Sequence, residues 1–386
     1  MSISRGFQNL RVVRLLVTGA MVLAALLSLN PADAQDPPPL ISEALFNAGE
    51  KASPPGDRWL FLCCGLPGDQ AHRERLTDAC EKIIAAADPV LGVTADRLQV
   101  LAGDDEMQAA LSGKAEQVGV CTKETMTETM QRLGEQIPEQ DSCWVIVMGH
   151  AHLYDNKSQF NILDADIDQK DFAALSKPLN CREQVFWITT PLSGFWIKPL
   201  AGKSRVIISA TEPDLEFTGT EMPYALADLV AGEGEEIQFE DIDQDGILSL
   251  LDLYLAVNLE IHGRFESMER LQTEHAQLED NGDGRGSEVQ LAYLPVKEED
   301  DEKEDADEDE DADEDESTDE EASEDEAKED DSDSESEGDA DTDANESEES
   351  ATEAVKRPVP KPIANVNLDG FRSRHIKLEM PADETE

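Results

Sequence analysis

Positive charge is what this 386-residue chain has least of, with 31 Lys and Arg against 87 Asp and Glu and a formal net charge of −56. The deficit is concentrated in residues 298–354, which hold 35 acids and two lysines, but the remaining chain is acidic too. A chain with so large an acidic excess repels nucleic-acid phosphates and anionic membrane surfaces. Nucleic acid is therefore excluded as a partner, and cations or a basic protein surface are left. Zinc-type cysteine spacing is also missing. Cys63, Cys64, Cys80, Cys121, Cys143 and Cys181 form no CxxC pair and no Cys/His array, which excludes a structural zinc site. Long apolar runs are the third absence, because past residue 29 no stretch approaches the roughly 20 apolar residues that span a bilayer.

The apolar run that is present comes first. Arg5, Arg11 and Arg14 precede LLVTGAMVLAALLSL, and Ala32-Asp33-Ala34 follows it. That order describes a secretory signal peptide over residues 1–34, cut near Ala34, so the mature protein is expected to be exported without a membrane span. Export also makes disulfides chemically permissible, although spacing alone does not pair the cysteines.

Residues 35–57 are Pro-rich and read as a linker. Over 58–231, short apolar segments (RWLFLCC, DRLQVLAG, CWVIVMGH, EQVFWITT, RVIISA) alternate with helical ones (HRERLTDACEKIIAAAD, KETMTETMQRLGEQI, MPYALADLVAG). This alternation predicts an α/β fold with a mostly parallel sheet and helices on both faces. In such sheets, ligands and catalysis sit at the carboxyl ends of the strands. Residues 236–293 read as a second, smaller unit. The tract 298–354, without an aromatic residue, cannot bury enough apolar surface to offset ordering and is expected to be disordered. The basic and apolar character regained in 355–386 is expected to fold back on the globular part.

The chemistry-bearing pattern of the second unit is DIDQDGILSLLD, residues 241–252. Asp241, Asp243 and Asp245 stand at positions 1, 3 and 5, and Gly246 at the sharp turn of position 6. The Ile247 carbonyl serves position 7, Ser249 position 9 and Asp252 position 12. Calcium takes six to eight oxygens at about 2.3–2.6 Å, and this spacing wraps them around one centre. The loop resembles dockerin modules, whose loops also read D-x-[DN]-x-D-G and end in Asp. That resemblance implies a structural EF-hand-like calcium site rather than a switching sensor. A second candidate, 279–290, begins 38 residues later with Glu279, Asn281, Asp283 and Gly284, but has Gln290 at its twelfth position. If both loops bind, they are expected to pack as a pair.

In the first unit, CWVIVMGHAH is an apolar strand ending in Gly149-His150, and QVFWITT ends 41 residues later in Pro191-Leu192-Ser193-Gly194. Here the chain resembles caspase-fold cysteine peptidases, particularly the legumain-like branch. There an apolar strand ends in a His-Gly step, and the next strand ends in a catalytic Cys followed by Ser-Gly. The resemblance implies that His150 is the relict of a catalytic base. The family's nucleophile position is Pro191, which has neither thiol nor N–H, so the family's chemistry cannot occur there. Ala151 replaces a family Gly. Cys143 and Cys181, at the far ends of their strands, lie roughly 20 Å from that edge at about 3.3 Å per residue. Cys64 or Ser193, paired with His150, is the alternative nucleophile. The leading expectation is a non-catalytic, peptide-binding scaffold joined to a calcium unit. The alternative is an active hydrolase with a rearranged nucleophile.

Overall fold

The computed structural model describes residues 56–214, 216–293, 363, 365 and 367–378. The signal peptide, most of the linker, the acidic tract and the rest of the C-terminal segment expected from sequence lie outside them.

Seven strands form the main sheet: β1 (Arg58–Cys64), β2 (Leu98–Ala102), β3 (Val118–Val120), β4 (Ser142–Met148), β8 (Glu183–Ile188), β9 (Arg205–Ser209) and β10 (Gln277–Glu279). Their order is β10-β9-β8-β4-β1-β2-β3, and every pairing is parallel except β9 with β10. A second, three-stranded antiparallel sheet consists of β5 (Ala151–Tyr154), β6 (Lys157–Phe160) and β7 (Ile167–Asp168).

The continuous apolar runs follow from burial on both faces of the main sheet. Along β1, Leu60, Leu62 and Cys64 enter one core while Phe61 and Cys63 enter the other. Along β4, Trp144, Ile146 and Met148 alternate in the same way with Cys143, Val145 and Val147. Helices α1 (Gln70–Ala86), α2 (Asp105–Leu111), α6 (Met222–Val230) and α7 (Leu250–Ser267) fill the first core. Helices α3 (Lys123–Gln136), α4 (Gln169–Leu175) and α5 (Gly194–Leu200) fill the second. Truncating a buried Leu, Ile or Met of these cores to Ala is expected to cost about 2–5 kcal/mol. Helix starts are set by short acceptors placed just before the apolar period. Asp69 accepts from His72 N, Asp104 from Met107 N, and Thr122 forms a capping box with Thr125.

All six cysteines are buried thiols, with Cys63 Sγ 3.4 Å from Cys121 Sγ. Among the described residues no helix is long and apolar enough to cross a membrane.

Residues 236–293, expected as a second unit, share this sheet and core. β10 is an edge strand on β9, and α7, buried along almost its whole length, packs in the same apolar cluster as α6. The Glu260 carboxylate of α7 accepts from the N–H groups of Glu235, Glu236 and Ile237, fixing the connection that leads into 241–252. Residues 376–378 of the C-terminal segment pair with 248–250, with Leu250 N donating to Ile376 O (2.8 Å) and Leu378 N to Leu248 O (3.0 Å).

Candidate functional site

At the carboxyl end of β4 the chain turns through Gly149, whose φ of +131° only glycine adopts readily. A Cβ there would lie 3.1 Å from Gly65 N. The turn carries His150 out of the sheet, where its Nε2 sits 3.0 Å from Pro67 O. A carbonyl only accepts, so Nε2 is the donor in this contact. The His72 ring stands edge-on to it at 4.8 Å between centroids, and His72 Nδ1 meets Asp69 Oδ1 at 2.9 Å. A cleft of about 420 Å³ opens there, lined by His72, Arg75, His150, Pro191, Tyr224 and Arg270 among others. Arg75 lies over the Tyr224 ring at 3.6 Å and pairs with Glu221 at 2.9 Å.

Pro191 lines this cleft with His150, at the position where the sequence resemblance places the nucleophile of the family. The next residue, Leu192, holds φ +58°, a left-handed conformation that costs a non-glycine residue about 1–2 kcal/mol. The turn is held by Leu192 N donating to Glu216 O at 3.0 Å. Ser193 is fully buried beyond it, accepting from Thr211 N (3.1 Å), with its hydroxyl 3.3 Å from the Thr211 hydroxyl. Cys64 is fully buried too, against Gly65 O at 3.6 Å. Its thiol is pushed well up by hydrogen bonding with Cys80 and by burial, which leaves almost no thiolate. Neither Cys64 nor Ser193 lines the cleft, and the structure brings neither to His150.

Beside that turn, Glu212, Glu216 and His275 place ligand-capable atoms within 4.8 Å of one another. Burial pulls the His275 imidazole down, but its hydrogen bond and charge interaction with Glu216 outweigh this and leave it raised above its usual value.

The loop 241–252 is organised around its acids. Asp241 accepts from Asp245 N (3.1 Å) and Gly246 N (2.8 Å), Asp243 from Asp245 N (3.1 Å), and Asp245 from Ile247 N (2.8 Å). Left-handed backbone at Gln244 (φ 55°) and Gly246 (φ 83°) turns the chain so that these oxygens face inward. Asp252 closes the ring. Its Oδ1 accepts from Ile242 N and Asp243 N, and its Oδ2 from Ser249 N and the Ser249 hydroxyl (2.7 Å). Ser249 and Asp252 thereby form the capping box that starts α7.

Carboxylate oxygens of Asp241, Asp243 and Asp252 converge within 4.8 Å. Asp243 is 4% exposed, yet its Oδ2 accepts no hydrogen bond among the described residues. Burial, then the charges of Asp252 and Asp245, push its carboxyl up to about 7 against the pull of Arg374. The Arg374 guanidinium, from the C-terminal segment, donates to Asp245 Oδ2 (2.8 Å) and lies 3.7 Å from Asp243 Oδ2. An all-oxygen set in which one buried carboxylate oxygen lacks a hydrogen bond suits a hard divalent cation.

The second candidate loop places Glu279 at the end of β10, fully buried, with Asn281 and Asp283 on the turn after it. Gln290 turns away into the core, donating to Ala276 O (2.9 Å) and accepting from the Tyr254 hydroxyl. The two loops were expected to pair with each other, but the strand-like bridge of 248–250 goes to 376–378. Sequence reading missed Arg374, the approach of His72 to His150 and the cluster at His275, because each of these contacts forms only through long-range folding.

No family model matches the chain, and no curated protein matches it. Among solved structures, the chain is similar to a Geobacter sulfurreducens protein at 10% identity and a TM-score of 0.35, covering 58% of this chain and 93% of that one. It is also similar to a secreted C11 cysteine protease from Bacteroides thetaiotaomicron, crystallised with an irreversible peptide inhibitor, at 12% identity and a TM-score of 0.31, covering 55% of this chain and 59% of that one.

Proposed function

We propose that the protein is an exported calcium-binding protein whose α/β part is a non-catalytic, peptidase-like scaffold that binds a peptide or a basic protein partner. The calcium reading is carried by one observation: a nearly fully buried carboxylate oxygen, Asp243 Oδ2, faces Asp241 and Asp252 with no hydrogen bond to compensate it. Arg374 stands 3.7 Å from that oxygen without hydrogen-bonding it, so the converging carboxylates of Asp241, Asp243 and Asp252 are only partly compensated, and a divalent cation at the centre of the loop removes the rest of that burial penalty. Export rests on the N-terminal sequence pattern. Loss of catalysis is supported by Pro191 in the cleft and by the burial of Cys64 and Ser193 away from His150.

Calorimetry with calcium tests the first part: wild-type protein is expected to bind tightly, and Asp252→Asn to lose the site formed by 241–252. Peptide-hydrolysis assays test the second. No turnover is expected, and activity abolished by His150→Ala would overturn the non-catalytic reading.

A further inference from the structure

We infer that residues 279–287 form a second calcium-type site, completed by Asp369 from the C-terminal segment in place of the twelfth loop residue. The 241–252 loop serves only as the template for this comparison.

The two loops share the bonds from position 6 to 1, from 5 to 3 and from 7 to 5, and differ in that Asp241 also accepts from the position-5 N–H of Asp245. At position 1, Asp241 accepts from Gly246 N at position 6, and Glu279 accepts from Gly284 N at the same position (3.4 Å) and from Gly282 N (2.6 Å). At position 3, Asp243 accepts from Asp245 N, and Asn281 from Asp283 N (2.8 Å). At position 5, Asp245 accepts from Ile247 N, and Asp283 from Arg285 N (2.8 Å). Left-handed backbone falls at positions 4 and 6 of both, at Gln244 and Gly246 and at Gly282 and Gly284.

The closing carboxylate matches as well, although it comes from elsewhere in the chain. Asp252 takes the position-2 N–H of Ile242 on Oδ1 and the position-9 hydroxyl of Ser249 on Oδ2. Asp369 takes the position-2 N–H of Asp280 on Oδ1 (3.2 Å) and the position-9 hydroxyl of Ser287 on Oδ2 (2.5 Å). Asp369 is held there by Asp280, whose buried carboxylate accepts from Gly370 N, Arg372 N, Ser373 N and the Ser373 hydroxyl.

An independent feature points to a ligand. Glu279 is 0% exposed, and its Oε2 has no hydrogen-bond partner among the described residues. Three carboxylates and one amide oxygen, with no sulfur or imidazole, are the donors a hard cation of calcium size takes. Because Asp369 lies beyond residues 298–354, the ion also fastens the returning C-terminal segment to β10.

Native mass spectrometry and calorimetry of the full mature chain with calcium chloride test this. Two tight ions per chain are expected above a weak, non-saturating background. Asp369→Asn should remove one and Asp252→Asn the other, so the two loops fail or stand separately. Amide exchange at Gly282, Gly284 and 370–374 is expected to slow at least about tenfold with calcium in wild type and in Asp252→Asn, but not in Asp369→Asn. Should Asp369→Asn not fold, Asn281→Asp on the partly exposed turn provides the second arm. An added charge is expected to tighten this site by about tenfold. Unchanged stoichiometry in Asp369→Asn, or unchanged affinity in Asn281→Asp, would overturn the assignment.

Discussion

The loop at 241–252 and the cleft at His150 both place polar groups where sequence motifs predict them, yet only the loop surrounds an unmet chemical demand. In the loop, every acid is pinned by backbone N–H groups and one buried oxygen is left over. In the cleft, His150 already has a partner in the Pro67 carbonyl, and the neighbouring strand end offers a proline. A motif is chemically informative when its groups cannot satisfy one another. The loop passes that test, whereas the His150 imidazole in the cleft already has its partner.

The most severe way to break this contrast is Asp252→Ala. Asp252 is fully buried and accepts four hydrogen bonds, so its loss is expected to cost on the order of 3 kcal/mol or more in calcium-free protein. The extra stabilisation from calcium at this loop, about 2.7 kcal/mol at one hundred times Kd, should vanish with it. Urea denaturation with and without calcium measures both, and a variant as stable as wild type would show that the loop is a solvated turn.

Gly246→Ala is expected to cost about 1–2 kcal/mol by the same measurement, because its φ of 83° is left-handed although space around it is open.

The cleft can be sharpened by supplying what it lacks. Pro191→Cys is expected to react with iodoacetamide on the order of 100-fold faster than wild type, whose buried Cys63, Cys64 and Cys143 thiols are pushed well up. Adding His150→Ala should slow that labelling by roughly tenfold. Equal rates with and without His150 would mean that the imidazole does not reach position 191.

The smallest effect concerns His275. Its imidazole is raised above the ordinary value of about 6.5 by Glu216. The pair therefore stabilises the folded state fully below about pH 6.5, and that contribution is lost as pH rises through the raised value. NMR titration is expected to show the raised midpoint, with Glu216→Gln moving it down. Indifference to that substitution would remove the pairing from the account.

The layers of the fold were legible in the sequence because β1, β4 and β8 are buried on both faces and so read as unbroken apolar runs. The start of α7 was legible too, since Ser249 and Asp252 carry the cap in four residues. The membership of β10 was not, because three residues, Gln277–Glu279, leave no period to read and pair only through the distant β9. The donors at 241–252 were visible because one short segment holds them. Arg374 and Asp369 were invisible, standing about 130 and 90 residues away from their partners Asp245 and Asp280, with the acidic tract between. Burial of Cys64 and Ser193 depends on which side of the strand-end turn each side chain takes, and a local pattern does not encode that choice.

The most direct measurement is a calcium titration by calorimetry on a chain lacking residues 298–354. Tight binding that survives the deletion, with Kd at or below about 10 μM, and falls in Asp252→Asn is the predicted result. Loss of all tight binding with the acidic tract would contradict it, placing the calcium chemistry in that tract instead of the loop.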